Sequence, residues 1–162
     1  MKKDVVEFSV KGIALDKDSQ MPLVILQAKN KKILFPIWIG PFEASSIIIE
    51  MEGVHPPRPL AHDLLANFIL RHGFRVQSLE IYGMVDNKYL AKIHYKKGLR
   101  SYSMEVRPSD GIAISLRLGA PILSYNNLIK PLSDQLTTLK NRVVLPEDFL
   151  FLDAAETNPT LM

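Results

Sequence analysis

The sequence predicts an α+β domain: a mixed, largely antiparallel sheet with two principal helices packed against it and a short C-terminal helical extension. Three observations carry that expectation. Two groups of short apolar segments, within residues 6–39 and 74–106, read as strand meanders. Between them, apolar residues at Leu60, Leu64, Leu65, Phe68 and Ile69 recur at helical spacing. The composition, 162 residues with 47% hydrophobic and 23% charged, is that of one folded domain closing a single core.

Each element follows from local chemistry. Strands over 6–15 and 23–28 are joined by a polar, proline-bearing loop, and a third strand over 33–39 follows the turn at 30–32. Gly40 and Pro41 end it. Pro41 suits the first turn of a helix over 42–52, with Glu43 near the positive end of the dipole. A proline-rich loop over 54–59 leads to the second helix, which runs from Leu60 until Gly73. Strands over 74–82, 88–95 and 99–106 form the second meander. Pro108, Ser109 and Asp110 mark a helix start, where the Ser109 hydroxyl can accept from an early backbone N–H and Asp110 meets the dipole. A short helix over 112–118 closes at Gly119, residues 120–124 add a short strand, and 127–139 a weaker helix interrupted at Pro131. Residues 1–139 therefore form the domain, and 140–162 an extension whose end frays. Trp38 and the run Ile47, Ile48, Ile49 are expected to supply packing.

Composition excludes several classes of chemistry. With no cysteine there are no disulfides, thiolate metal sites or cysteine nucleophile. Any metal must be held by oxygen or histidine. The N-terminus has a positive start without the apolar core of a leader, and no apolar run approaches the ~20 residues of a membrane span, so a cytoplasmic protein with no membrane partner is expected. A net charge of +3 permits a polyanionic partner.

Four blocks, VKGIALD, PIWIGPFEA, GVHPPRPLAHDLL and RPSDGIAISLRLGAPI, occur in that order over roughly the first four-fifths of the chain. Together they resemble the bifunctional nuclease domain family, named for DNase and RNase activity assigned to a plant member. The resemblance implies a nuclease of low sequence specificity that cleaves phosphodiester bonds in DNA or RNA. Such chemistry needs an activated water and stabilised phosphate charge, which carboxylates often provide by holding a divalent cation, here Mg or Mn. Glu43, Asp63 and Asp110 are the candidate ligands, and with His62 they form the candidate catalytic set. Histidine transfers protons near neutrality. Neighbouring helical positions point about 100° apart, however, so His62 and Asp63 are no ready-made dyad. Glu43 and Asp63 have a second reading, in which they only complement helix dipoles.

Arg58 and Arg107 each precede a proline just before a helix start, and with Ser109 they compose a candidate phosphate site. The alternative is that each arginine pairs with an acid such as Asp63 or Asp110 and locks its loop. On the strand over 88–96, Lys88, Leu90, Lys92, His94 and Lys96 share one face, and Tyr89, Ala91, Ile93 and Tyr95 the other. With Lys97 and Arg100, the lysines form a candidate nucleic-acid track, although edge-strand lysines also serve to prevent aggregation. Ile47, Ile48 and Ile49 point in three helical directions, which fits burial against a second copy as well as the core, so a homo-oligomer, most simply a dimer, is expected. Two other functions stay open: a non-catalytic anion- or partner-binding module, and an oligomeric structural interaction domain.

Overall fold

The computed structural model describes residues 4–30, 33–129 and 143–144. Its elements are β1 (Val5–Asp16), β2 (Pro22–Ala28), β3 (Leu34–Trp38), α1 (Pro41–Met51), α2 (Ala61–Arg71), β4 (Arg75–Val85), β5 (Lys88–Lys97), β6 (Arg100–Val106), α3 (Pro108–Leu118), β7 (Ile122–Tyr125) and β8 (Val143–Val144). One sheet contains all the strands among the described residues, in the order β3-β2-β1-β7-β4-β5-β6, with β8 added beside β1. Each meander is antiparallel. The late strand β7 lies between them, antiparallel to β1 and parallel to β4. The expected α+β class and mixed, largely antiparallel sheet are what the molecule has.

Local sequence explains the joints. Asp86 and Asn87 turn β4 into β5 with φ of 50° and 60°, the left-handed pair that a two-residue hairpin needs and that these residue types tolerate. Pro36 sits in β3 at an edge of the sheet, where its missing N–H does least harm to the ladder. Since β6 and β7 run in the same direction, their link must cross the sheet, and α3 is that crossover, packed over β4 and β5.

Among the described residues there are three eleven-residue helices, and α3 makes the closest contact with the core. Ile112, Ala113 and Ile114 are buried, and Gly111 lies so close to β4 that a Cβ there would collide with the Leu79 side chain. The small residues that make this segment read as a minor helix are the ones that let it approach the sheet. On α1, Ala44 and Ile47 enter the same core while Ile48 stays exposed. Burial of Ile47 thus needs no second copy. The larger exposed apolar surface is on α2, at Leu64, Phe68 and Leu70.

Aromatic contacts show how far the sheet curls. Phe35 on β3 meets Phe8 on β1 at 5.6 Å between centroids and Tyr89 on β5 at 4.8 Å, so an edge strand of one meander faces the other meander. At the start of the weaker helix expected over 127–139, Asn126–Leu128 form a 3-10 turn. Ile129 after it is extended, and the rest of that helix, from residue 130, lies outside the described residues, as does the extension apart from β8. Among the described residues no helix is long and apolar enough to cross a membrane.

Candidate functional site

Three helices begin in one place. Pro41 and Pro108 occupy the first positions of α1 and α3, and in each of the three helices the third residue is acidic: Glu43, Asp63 and Asp110. A carboxylate in the first turn complements the partial positive charge of the unpaired N–H groups. Arg107 precedes Pro108 in extended conformation, which projects its side chain from the helix start. Its Nε donates to Asp110 Oδ2 at 2.7 Å and its Nη2 to Asp110 Oδ1 at 3.1 Å, while Nη2 also lies 2.8 Å from Glu43 Oε1. One guanidinium thereby joins the starts of α1 and α3. Its Nη1 has no partner among the described residues, and the side chain is 66% exposed.

His62, the second residue of α2, completes the convergence. Its Nδ1 is 2.7 Å from Ser46 Oγ and its Nε2 2.9 Å from Asp110 Oδ1. Arg117 donates Nη2 to Ser46 Oγ at 3.1 Å and to the Ser46 carbonyl at 3.2 Å. Because Ser46 Oγ accepts from that arginine, its own hydrogen is free to go to His62 Nδ1. The network therefore assigns the ring hydrogen to Nε2, donating to Asp110. Arg117 also donates Nε to Asp63 Oδ1 at 2.6 Å and Nη1 to the Ala113 carbonyl at 3.0 Å, and only 4% of its side chain is exposed. Asp63 in turn accepts from the Leu60 backbone N–H at 2.9 Å. Burial opposes ionisation of both aspartates. Hydrogen bonds and charge from Arg107 and His62 outweigh it at Asp110, and those from Arg117 and Leu60 at Asp63, so both carboxyls sit below their ordinary range.

Of the sequence candidates, Glu43, His62, Asp63, Asp110 and Arg107 belong to this connected network. Arg58 does not join it: the residue is exposed on its proline-rich loop, with no ion pair or hydrogen bond among the described residues. Ser109 does not cap α3, because Arg107 occupies the cap position and Ser109 is already inside the first turn, largely buried. The carboxylates expected to hold Mg or Mn do not fit a cation site. Glu43 and Asp110 share Arg107 while Asp63 faces Arg117, and among the described residues no three acids or histidines cluster for a metal.

The expected basic track is also interrupted. Strand register places Lys92 between Glu80 and Glu105, and its Nζ lies over the Tyr82 ring at 4.4 Å. His94 pairs with Glu80, Lys97 turns over Phe74 at 5.0 Å, and Lys88, Lys96 and Arg100 are left as separate charges. The face predicted to be apolar does carry buried Ala91 and Ile93. Two members of the network, Ser46 and Arg117, are not among the residues that sequence singles out. Ser46 follows Glu43 by three positions and Arg117 follows Asp110 by seven, spacings that share a helix face but say nothing of a partner on another helix.

Beside Arg107 a cleft of about 720 Å³ opens between the end of β3 and β5–β6. Trp38, expected to pack, stands in its wall and is 45% exposed. As the last residue of an edge strand, it is carried past the core.

A family model described as the bifunctional nuclease domain matches residues 24–136, which include every residue of this network. An uncharacterized protein of Mycobacterium tuberculosis (strain ATCC 25618 / H37Rv) is 35% identical over 116 residues, covering 72% of this chain and 69% of that one. Bifunctional nuclease 1 of Oryza sativa subsp. indica is 24% identical over 116 residues, or 67% of this chain and 35% of that protein. Bifunctional nuclease 2 of Oryza sativa subsp. japonica is 23% identical over 121 residues, covering 72% and 37%.

Proposed function

The chain belongs to the bifunctional nuclease domain family, and on that premise we propose that it cleaves phosphodiester bonds of DNA or RNA with low sequence specificity where α1, α2 and α3 begin. One observation carries the reading: His62 bridges Ser46 and Asp110 directly beside an exposed arginine with two N–H donors unused. Arg107 Nη1 offers those diverging N–H groups to phosphate oxygen as charge-assisted donors, its Nε–Nη2 fork being already engaged by Asp110. Water attacks phosphorus and loses a proton. Ser46 Oγ takes it while passing its own hydrogen to His62 Nδ1, and Asp110 stabilises the resulting imidazolium. The ester P–O bond breaks as the new one forms, and the departing oxygen takes its proton from solvent. No step is routed through a cation, since the carboxylates are committed to arginines.

The test is cleavage of single-stranded DNA and RNA by purified protein, with and without chelator. His62→Asn should lower the rate by about 100-fold or more, the range of general acid–base catalysis. Unchanged cleavage in that variant would sink the assignment, and loss on chelation alone would return a cation to the site. A second reading, anion binding without catalysis, is favoured by the fact that each site carboxylate already has an arginine partner. It predicts nucleic-acid binding without cleavage. Self-association belongs to the same proposal, moved from α1 to the exposed apolar face of α2; light scattering of wild type beside Phe68→Glu measures it, and equal masses would remove α2 from that role.

A further inference from the structure

The cleft beside Arg107 has a composition that the catalytic network does not use. Trp38 is the sole tryptophan of the chain. Its indole N–H donates to Asp16 Oδ2 at 3.2 Å, and Asp16 is fully buried, so the edge of the ring is tethered while nearly half of the residue remains in solvent. Tyr89 lies in the same wall. Lys88 lines it too, exposed and without an ion pair among the described residues, and Arg107 adds its free Nη1. The one acid in the wall, Glu105, is engaged by the Tyr82 hydroxyl and lies 3.9 Å from Lys92. The cleft thus combines a fixed aromatic surface, an apolar lining, the unpaired cation of Lys88 and the free Nη1 donors of Arg107, whose charge is shared with Asp110 and Glu43.

We propose that this cleft holds an unpaired base of single-stranded nucleic acid stacked on Trp38, with Lys88 and Arg107 on the adjoining phosphates. Every base has a π face, so one ring serves strands of any sequence, and lysine and arginine supply the backbone contact. Bases inside a duplex already have both faces covered by their neighbours and cannot stack on an indole without being unstacked. The cleft therefore selects single strands. A volume of about 720 Å³ lies in the range of small-ligand sites and is ample for one nucleotide. The proposal rests on the nuclease reading for what then happens to the strand, since Arg107 is common to cleft and network; binding itself does not depend on it.

Trp38 reports on its own occupancy, because emission from the chain's sole indole is quenched when a base stacks on it. Wild type and His62→Asn are titrated with an oligothymidylate, a duplex of matched length and thymidine monophosphate, and labelled-strand anisotropy is followed in parallel. Saturable quenching by the single strand, with little from duplex or monophosphate, is the expected result. Trp38→Leu should weaken strand binding about ten-fold, the size of one base–aromatic stack, and Trp38→Phe should recover much of it. Lys88→Gln should reduce the slope of log affinity against log salt by about 0.7. Strand binding that leaves the emission unchanged overturns the proposal, as does equal quenching by duplex or by monophosphate. Quenching without cleavage by wild type defeats the nuclease reading and leaves the cleft standing; cleavage without quenching does the reverse.

Discussion

Arg117 touches all three helices from one side chain: Ser46 on α1, Asp63 on α2 and Ala113 on its own α3. Replacing it with methionine would leave Asp63 in a partly buried place without its cation, a loss of about 3–5 kcal/mol for a buried pair. Urea denaturation should show that fall in Arg117→Met and a smaller one in Arg117→Lys, which keeps the charge without the planar fork. Acid should act through the same groups. Asp63 and Asp110 have folded pKa values below the unfolded one, so their contribution to stability is complete above about pH 4 and disappears as pH falls through the folded values. The urea midpoint should therefore drop as pH falls below about 4, and Asp110→Asn should flatten that drop. Asp63 and Asp110 could be recognised from sequence because a helix start explains an acid at its third residue. Ser46 and Arg117 could not, since the partners lie 71 positions apart and only the packing of α1 on α3 brings them together.

Helix starts are what sequence discloses best at the level of elements, and the site is made of them. Proline, an extended preceding residue and an acid two positions after the proline mark α1 and α3 without reference to anything distant. The importance of α3 is harder to read, because Gly111, Ala113 and Ser115 weaken its apolar pattern while serving close approach to β4. Gly111→Ala tests that account. The added methyl would meet Leu79 and Val106, and overpacking of this kind destabilises by about 1–3 kcal/mol. Thermal denaturation should register the loss. Cleavage should fall as well, because Asp110 is the next residue and would move with the helix. An unchanged melting temperature would show that Leu79 gives way freely. The basic strand teaches the opposite lesson: its parity was readable, but Glu80 and Glu105 on neighbouring strands, which break up its charge, became visible only with the register.

Across the whole molecule, the fold class was legible and the curl of the sheet was not. Alternation reveals strands, whereas the meeting of Phe35 with Tyr89, and hence the cleft and the exposure of Trp38, depends on how two meanders are joined. That junction is β7, whose ladder pairs Val5 with Tyr125 and Phe8 with Ile122. Pairings of such long sequence separation raise contact order, and the chain entropy of closing the loop must be met before they stabilise anything. Each meander, by contrast, is assembled from neighbours. We expect β7 to dock after the rate-limiting barrier, so Ile122→Ala should speed unfolding and leave refolding nearly unchanged, with a φ-value near zero. Stopped-flow chevrons measure this, and a value near one would place β7 in the nucleus instead. During synthesis, the residues proposed to bind and cleave would then be complete in sequence well before they face one another. A nascent chain carrying His62 and Asp110 would stay inert until its last central strand was made, so activity would switch on once, late, with closure of the sheet.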